Sequence, residues 1–115
     1  MEYENTRLKH DIFVGQAEVN GALEGEFQIG YAFKYQDQDY YLIKLWPFPG
    51  GTYYLSKNRD NERYTVFSKL VETTSGIKFQ NPVGYAQLIP DMKDYVEICL
   101  RLPKQRVYMS LYPSG

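Results

Sequence analysis

The two residue types best suited to acid–base or nucleophilic catalysis each occur once in this chain. His10 lies between Lys9 and Asp11, and it is predicted to be a solvated histidine, because a general base must be held by ordered neighbours. Cys99 lies in a strand-like segment without a histidine nearby in sequence, which favours a packed thiol over a nucleophile. The sequence therefore predicts no catalytic residue, and a protein that is not an enzyme.

Carboxylates pair only in predicted turns, as Asp37 with Asp39 and Asp91 with Asp94. These segments lack the central glycine and the closing glutamate of an EF-hand calcium loop. One histidine and one cysteine are too few for a zinc site. The chain has neither a Walker loop nor the glycine motif of dinucleotide-binding folds. The sequence thus predicts no metal and no cofactor.

Aromatic and basic side chains alternate in two patches, as they do in proteins that stack single-stranded bases and contact phosphates. The first patch contains Tyr53, Tyr54, Lys57, Arg59, Arg63 and Tyr64, and the second contains Arg101, Lys104, Arg106, Tyr108 and Tyr112. The candidate nucleic-acid contacts are Arg59, Arg63, Arg101, Lys104, Arg106 and Tyr108. Alternatively, the tyrosines follow their strand preference and the basic residues protect sheet edges from aggregation.

Charge is distributed unevenly along the chain, whose formal net charge is −1. Residues 1–26 hold six acids and two bases, and residues 27–115 hold eight acids and eleven bases. A nonspecific nucleic-acid binder needs a basic excess, since its affinity comes from displacing phosphate counterions. The small excess here, behind an acidic first segment, makes single-stranded nucleic-acid binding the second hypothesis.

Two large aromatic residues lie in a loop that prolines make rigid. The run Trp46-Pro47-Phe48-Pro49-Gly50-Gly51 must interrupt a strand, because proline donates no ladder hydrogen bond. Aromatic side chains are common anchors of protein interfaces, so Trp46 and Phe48 are the candidate protein-binding residues. Alternatively, one of them folds back into the core. The first hypothesis is therefore a non-enzymatic module for protein–protein recognition.

The elements that position these residues are predicted to form an internal repeat. The segment Ile29-Gly30-Tyr31-Ala32 returns as Val83-Gly84-Tyr85-Ala86, at an offset of 54 residues. Such self-similarity indicates one supersecondary unit used twice. Residues 27–57 and 81–112 are predicted to be two three-stranded units with a pseudo-twofold relation. Gly30 and Gly84 are expected to mark bulges or close backbone approaches rather than phosphate-binding loops.

Composition and alternation both predict an all-β fold of antiparallel meanders, arranged as a sandwich or a half-open barrel. Aromatic residues make up 17% of the chain, and aromatic side chains favour strands. Phe27–Tyr35 alternates as if its odd-numbered residues shared one face. In the strand near the C-terminus, Val96, Ile98, Leu100 and Leu102 are expected to be buried, with Glu97 and Arg101 exposed.

The domain prediction is a polar tail over residues 1–11 and a single β domain over residues 12–115. One cysteine excludes an intrachain disulfide, so nothing indicates an oxidising compartment. Neither a signal peptide nor an apolar run of membrane-spanning length is apparent. These features predict a cytoplasmic location and no membrane partner.

Residues 12–70 resemble a known family in a set of short segments. The segments are Ile29-Gly30-Tyr31-Ala32, the strand from Tyr40 to Leu45, and Tyr64-Thr65-Val66-Phe67-Ser68-Lys69. The family is an uncharacterised group of small β-rich proteins carried on conjugative plasmids and integrative elements. Its Asp-Asp-Pro after Lys-Leu is replaced here by Trp46-Pro47-Phe48-Pro49, and its usual chain ends before the second repeat. The resemblance implies a β-rich binding domain in a plasmid or phage setting, with no activity and no site residues to carry over.

Overall fold

The computed structural model describes residues 7–35, 38–48, 50–57, 64–89, 92–101 and 104–113. These residues form eight strands in one antiparallel meander, in which each strand pairs with the next. The strands are β1 (Arg7–Ala17), β2 (Leu23–Tyr35), β3 (Tyr40–Leu45), β4 (Tyr53–Lys57), β5 (Tyr64–Thr73), β6 (Gly76–Leu88), β7 (Tyr95–Arg101) and β8 (Lys104–Ser110). The predicted all-β, antiparallel character is confirmed. Within the same residues, no helix is long and apolar enough to cross a bilayer.

The first and last strands meet and close the sheet into a barrel. β1 pairs with β8 at two positions, Ile12 with Met109 and Phe13 with Tyr108. Alternate side chains point inward and fill the barrel with aliphatic groups. The core consists of Ile12, Ile29, Ala32, Ile43, Leu45, Leu55, Val66, Ala86, Val96, Ile98, Leu100, Val107 and Met109.

Two bulges lie at corresponding positions in the two halves of the chain. β2 has an extra residue, Ile29, where it pairs with β1, and β6 has an extra residue, Val83, where it pairs with β5. A bulge reverses the facing of the residues beyond it. The single face predicted for Phe27–Tyr35 is therefore wrong, because Ile29 lies in the core whereas Tyr31, two residues further on, lies on the face opposite the buried Ala32.

A glycine next to each bulge lets the adjacent strand approach closely. A Cβ atom on Gly30 would overlap the carbonyl oxygen of Lys44, and one on Gly84 would overlap that of Cys99. Because both obstacles are backbone atoms, neither can be relieved by a side-chain rotation. The close backbone approach predicted for these glycines is confirmed.

Beyond each bulge, the hairpin continues as an arm whose first residue still pairs within the barrel, Phe13 with Tyr108 and Phe67 with Tyr54. We call residues 13–28 of β1 and β2 the first arm, and residues 67–82 of β5 and β6 the second arm. β6 runs unbroken through Asn81 and Pro82, although an Asn-Pro pair commonly marks a turn. Asn81 instead has a positive φ of 59° next to the bulge, a backbone conformation that asparagine tolerates better than most residues.

The strand β1 begins at Arg7, so residues 7–11 belong to the barrel and not to the predicted tail. His10, expected to be solvated, is 5% exposed. Its Nδ1 lies 2.9 Å from the carbonyl oxygen of Ser110, and its ring packs edge-on against Tyr41. Strand alternation explains the difference, because His10 lies two residues before the buried Ile12 and shares its inward face.

The burial predicted for the strand near the C-terminus is correct at all but one described position. Val96, Ile98 and Leu100 are buried, and Arg101 is exposed. Glu97, expected to be exposed, is only 6% exposed. Neighbouring side chains on the outer face of the barrel cover it. Leu102 lies outside the described residues.

Candidate binding surfaces

Backbone hydrogen bonds fix the loop between β3 and β4. The Trp46 amide donates to the carbonyl oxygen of Ile29 at 2.7 Å, and the Phe48 amide donates to that of Leu45 at 2.9 Å. The Gly51 amide in turn donates to Phe48 at 3.0 Å. Two consecutive reverse turns therefore hold the aromatic residues in fixed positions.

The loop separates the two predicted protein-binding residues. Phe48 packs against the core, whereas the Trp46 side chain is 53% exposed. One aromatic thus secures the loop and the other faces solvent. Phe27, which is 63% exposed, lies two residues before Ile29, the hydrogen-bond partner of Trp46. Two exposed aromatics therefore lie at the same end of the barrel.

A cleft of about 790 Å³ lies between the first arm and the outer face of β6, β7 and β8. We call it the first-arm cleft. Its lining comes from the arm and from the three strands, and it is rich in basic and polar groups. The lining residues are Gly15, Gln16, Ala17, Tyr85, Cys99, Leu100, Arg101, Lys104, Gln105, Arg106 and Tyr108.

Glu97 forms the centre of a polar network on the wall beside this cleft. Its carboxylate accepts hydrogen bonds from Gln87 Nε2 at 3.1 Å and from the Tyr108 hydroxyl at 3.4 Å. Arg106 Nε lies 3.4 Å from the same carboxylate, and the Cys99 thiol lies 3.7 Å from it. Four donors therefore satisfy this buried carboxylate, as a buried charge requires.

The polar network around Glu97 determines the orientation of the Arg106 side chain and which of its donors stay exposed. Glu97 contacts its Nε, and the Arg106 side chain remains 63% exposed. The negative charge of Glu97 raises the pKa of Arg106 above its usual value. A guanidinium has five N–H donors, so Arg106 keeps donors for a ligand while Glu97 restricts its orientation.

Two further cations stand at the rim of the cleft. Arg101 and Lys104 are paired in register where β7 and β8 meet, and both are exposed. Among the described residues, neither forms an ion pair. On the cleft wall, a hydrogen bond with Cys99 raises the pKa of Tyr85. Together, Arg101, Lys104 and Arg106 can attract an anionic group and donate several hydrogen bonds to it.

The structure brings together most residues of one of the two predicted nucleic-acid patches. Arg101, Lys104, Arg106 and Tyr108 all line the first-arm cleft. The Tyr108 side chain, however, is only 3% exposed, so it offers no ring face for a base to stack on. Burial also raises the pKa of its hydroxyl. Tyr112 lies beyond the end of β8 and does not line the cleft.

The first patch is not assembled among the described residues. Tyr53 packs against the barrel core, while its neighbour Tyr54 contacts Phe79 on the outer face. Alternation along β4 directs these two side chains to opposite faces. Arg59 and Arg63 lie outside the described residues, so their contacts stay predictions.

Aromatic rings pack together under the second arm. Phe79 lies 5.2 Å from Tyr40, 6.1 Å from Tyr54 and 5.4 Å from Phe67, measured between ring centroids. These distances are typical of packed aromatic pairs. These ring contacts hold the second arm against β3 and β4. A cleft of about 700 Å³ remains at its edge, and Asp39 and Lys34 place opposite charges in its lining.

Sequence reasoning identified neither the polar network around Glu97 nor the first-arm cleft beside it. A hairpin between the two consecutive strands β7 and β8 could have indicated that Glu97 and Tyr108 are neighbours, since these residues are paired in it. The side chains that cover Glu97 come from three adjacent strands, and the approach of the first arm to these strands leaves no such signal in the sequence. Across the part of the chain that the structure describes, no three His, Cys, Asp or Glu side chains are grouped to hold a metal. No protein-family model, curated protein or solved structure matches this chain.

Proposed function

We propose that this protein is a non-enzymatic module that binds another protein through the Trp46 loop. The observation that carries the proposal is an indole held half-exposed by a loop whose backbone is fixed. A preorganised aromatic side chain loses little conformational entropy when a partner covers it. Trp is also the residue type most enriched among the side chains that dominate interface energies.

The second candidate is single-stranded nucleic-acid binding, supported by the three cations of the first-arm cleft. Its predicted stacking residue, Tyr108, is buried, and Glu97 offsets part of the charge of Arg106. Nucleic-acid affinity without sequence preference depends on phosphate contacts and on exposed aromatic faces. These two observations favour the protein-binding hypothesis.

Two finer parts of the proposal concern origin and architecture. The resemblance of residues 12–70 supports a role on a plasmid or a phage. Matching registers support two copies of one unit, since Gly30 pairs with Leu45 as Gly84 pairs with Leu100. Both bulges obey the same 54-residue offset. The proposed pseudo-twofold relation predicts that β2–β4 and β6–β8 superpose.

The Trp46 proposal can be tested by substitution. Proteins that copurify with the tagged wild-type chain should be lost with Trp46→Ala, because truncating a central interface aromatic typically costs about 2 kcal/mol or more. They should be retained with Tyr112→Ala, a matched control that removes another exposed aromatic. Equal retention by both variants would refute the role of Trp46.

A direct measurement on the purified pair should follow. Trp46 is the only tryptophan of the chain. If the identified partner lacks tryptophan, binding should shift the emission of Trp46 toward that of a buried indole. Saturable, salt-sensitive binding of a single-stranded oligonucleotide near physiological salt, with unchanged copurification by Trp46→Ala, would instead support the second candidate.

A further inference from the structure

We propose that the first-arm cleft is a second binding site, which takes an extended acidic peptide segment of a partner protein by strand addition. The site lies on the seam between β1 and β8 and uses none of the residues of the Trp46 loop. The proposal therefore goes beyond the Trp46 surface, and it can fail without affecting that surface.

The seam is closed along only part of its length. β1 and β8 pair at Ile12–Met109 and at Phe13–Tyr108. Continuing that antiparallel register would bring Gln16 opposite Gln105, but the described strands form no such pair. Both residues instead line the cleft. Two strand edges thus border one open space, and such edges carry backbone N–H and C=O groups that can pair with an added strand.

The charges of the lining residues indicate what kind of peptide segment the first-arm cleft would bind. The residues that line the cleft include Arg101, Lys104 and Arg106, and they include no aspartate or glutamate. Glu97, on the wall beside them, already has four donors. An incoming carboxylate would therefore meet cations whose charge is only partly balanced. Arginine in particular binds carboxylates in a planar, two-point geometry.

The strand edges favour a peptide over a single-stranded nucleic acid. A peptide backbone offers alternating donors and acceptors that match a strand edge, whereas a sugar–phosphate backbone has no N–H groups to donate. Tyr108, the predicted stacking residue, is buried, which leaves Tyr85 as the one accessible aromatic side chain among the described lining residues. Phosphate contacts to the three cations would remain, so an oligonucleotide serves as the competing probe.

The test uses fluorescence anisotropy with the full chain and a labelled peptide of four Glu-Val repeats, which is extended and acidic on alternate positions. We expect saturable binding to the wild type. The double variant Arg101→Ala, Lys104→Ala should bind about tenfold more weakly, since each exposed charge contact contributes roughly a factor of 1.5 to 5. Both side chains are exposed, so the variant should fold normally.

The matched control is Lys69→Ala, Lys78→Ala, which removes two exposed lysines from the second arm. It should bind the peptide like the wild type. Equal weakening by both double variants would mean that the peptide responds to overall charge, and this would overturn the proposal. So would the absence of saturable binding to the wild type.

A second probe tests strand addition itself. The same peptide with N-methyl groups on alternate residues keeps its charges but loses hydrogen-bond donors along one edge. Of the two N-methylated versions, one for each set of alternate residues, at least one should bind about tenfold more weakly, because several backbone hydrogen bonds are lost together. Undiminished binding of both versions would overturn strand addition. Tighter binding of an oligo(dT) strand than of the acidic peptide would assign the cleft to nucleic acid instead.

Discussion

The two arms occupy corresponding places in the barrel and are fastened to it by different chemistry. Under the second arm, Phe79 packs among Tyr40, Tyr54 and Phe67. Under the first arm, Tyr95 makes the contact: its hydroxyl donates a hydrogen bond to Glu26 at 3.0 Å, and its ring packs edge-on against Phe13 with centroids 6.2 Å apart. Each arm borders a cleft, of about 790 Å³ at the first arm and about 700 Å³ at the second. Three cations line the first cleft without a carboxylate, whereas the second is lined largely by aromatic residues, with one lysine and one aspartate.

A single position explains part of this difference. The 54-residue offset places Gly25 in the first arm where Phe79 lies in the second. Gly25 has a positive φ of 65° and nothing within 4 Å of the position of a Cβ. The first arm also has an additional register shift between Val14 and Gln16. The first arm therefore lacks the ring that packs under the second arm, and it has one more register shift.

This comparison separates positions that support the fold from positions that are available for binding. Packed aromatic rings gain free energy from burial, and they leave no donor or acceptor for a ligand. Charged groups at a cleft contribute less to stability, but they can recognise a partner. Substitutions should therefore affect the two arms differently, while the bulge glycines should behave alike in both halves.

The largest effect is expected at the bulge glycines. Gly30→Ala and Gly84→Ala should each lower the free energy of unfolding by about 3 kcal/mol, the upper end of typical overpacking costs. In both cases the new Cβ meets a backbone carbonyl. Urea denaturation would measure the two losses. If only one of the two substitutions lowered the free energy of unfolding, the two glycines would not have equivalent roles in the two halves of the chain.

A smaller effect should distinguish the arms themselves. Phe79→Ala should cost about 2 kcal/mol, less than the 3–5 kcal/mol typical of fully buried aromatics, because Phe79 is only partly buried. Phe27→Ala removes an exposed ring from the first arm, and its cost should stay within about 0.5 kcal/mol. Equal losses in urea denaturation would mean that both arms are fastened by aromatic packing.

Composition and residue alternation predicted the all-β, antiparallel character and the burial of Val96, Ile98 and Leu100. Alternation failed for His10, where the polar neighbours Lys9 and Asp11 concealed an inward-facing strand position. It failed for Glu97 for a different reason, since alternation reports the face of a strand and not what covers that face. The first-arm cleft depends on where the pairing of β1 with β8 stops, which no local pattern encodes.

A somewhat smaller loss of stability than that of Phe79→Ala is expected in the network beside the cleft. Glu97→Gln should cost about 1–2 kcal/mol, because its new amide N–H₂ would face groups that all donate hydrogen bonds to the carboxylate. The matched change Glu72→Gln, at an exposed position of the second arm, should alter stability by less than about 0.5 kcal/mol. A negligible cost for Glu97→Gln would show that the network adds nothing to stability.

Two side chains that each occur once in the sequence allow a direct test of whether an acidic segment binds in the first-arm cleft and not at the Trp46 loop. Cys99 is the only cysteine and lines the first-arm cleft, and Trp46 is the only tryptophan and lies in the loop. The measurement is the rate of Cys99 alkylation by a small maleimide, with Trp46 emission recorded on the same sample, as the Glu-Val peptide is added. We predict that the peptide slows alkylation saturably and leaves the emission unchanged. Unchanged alkylation together with a shift in Trp46 emission would contradict the assignment of the cleft.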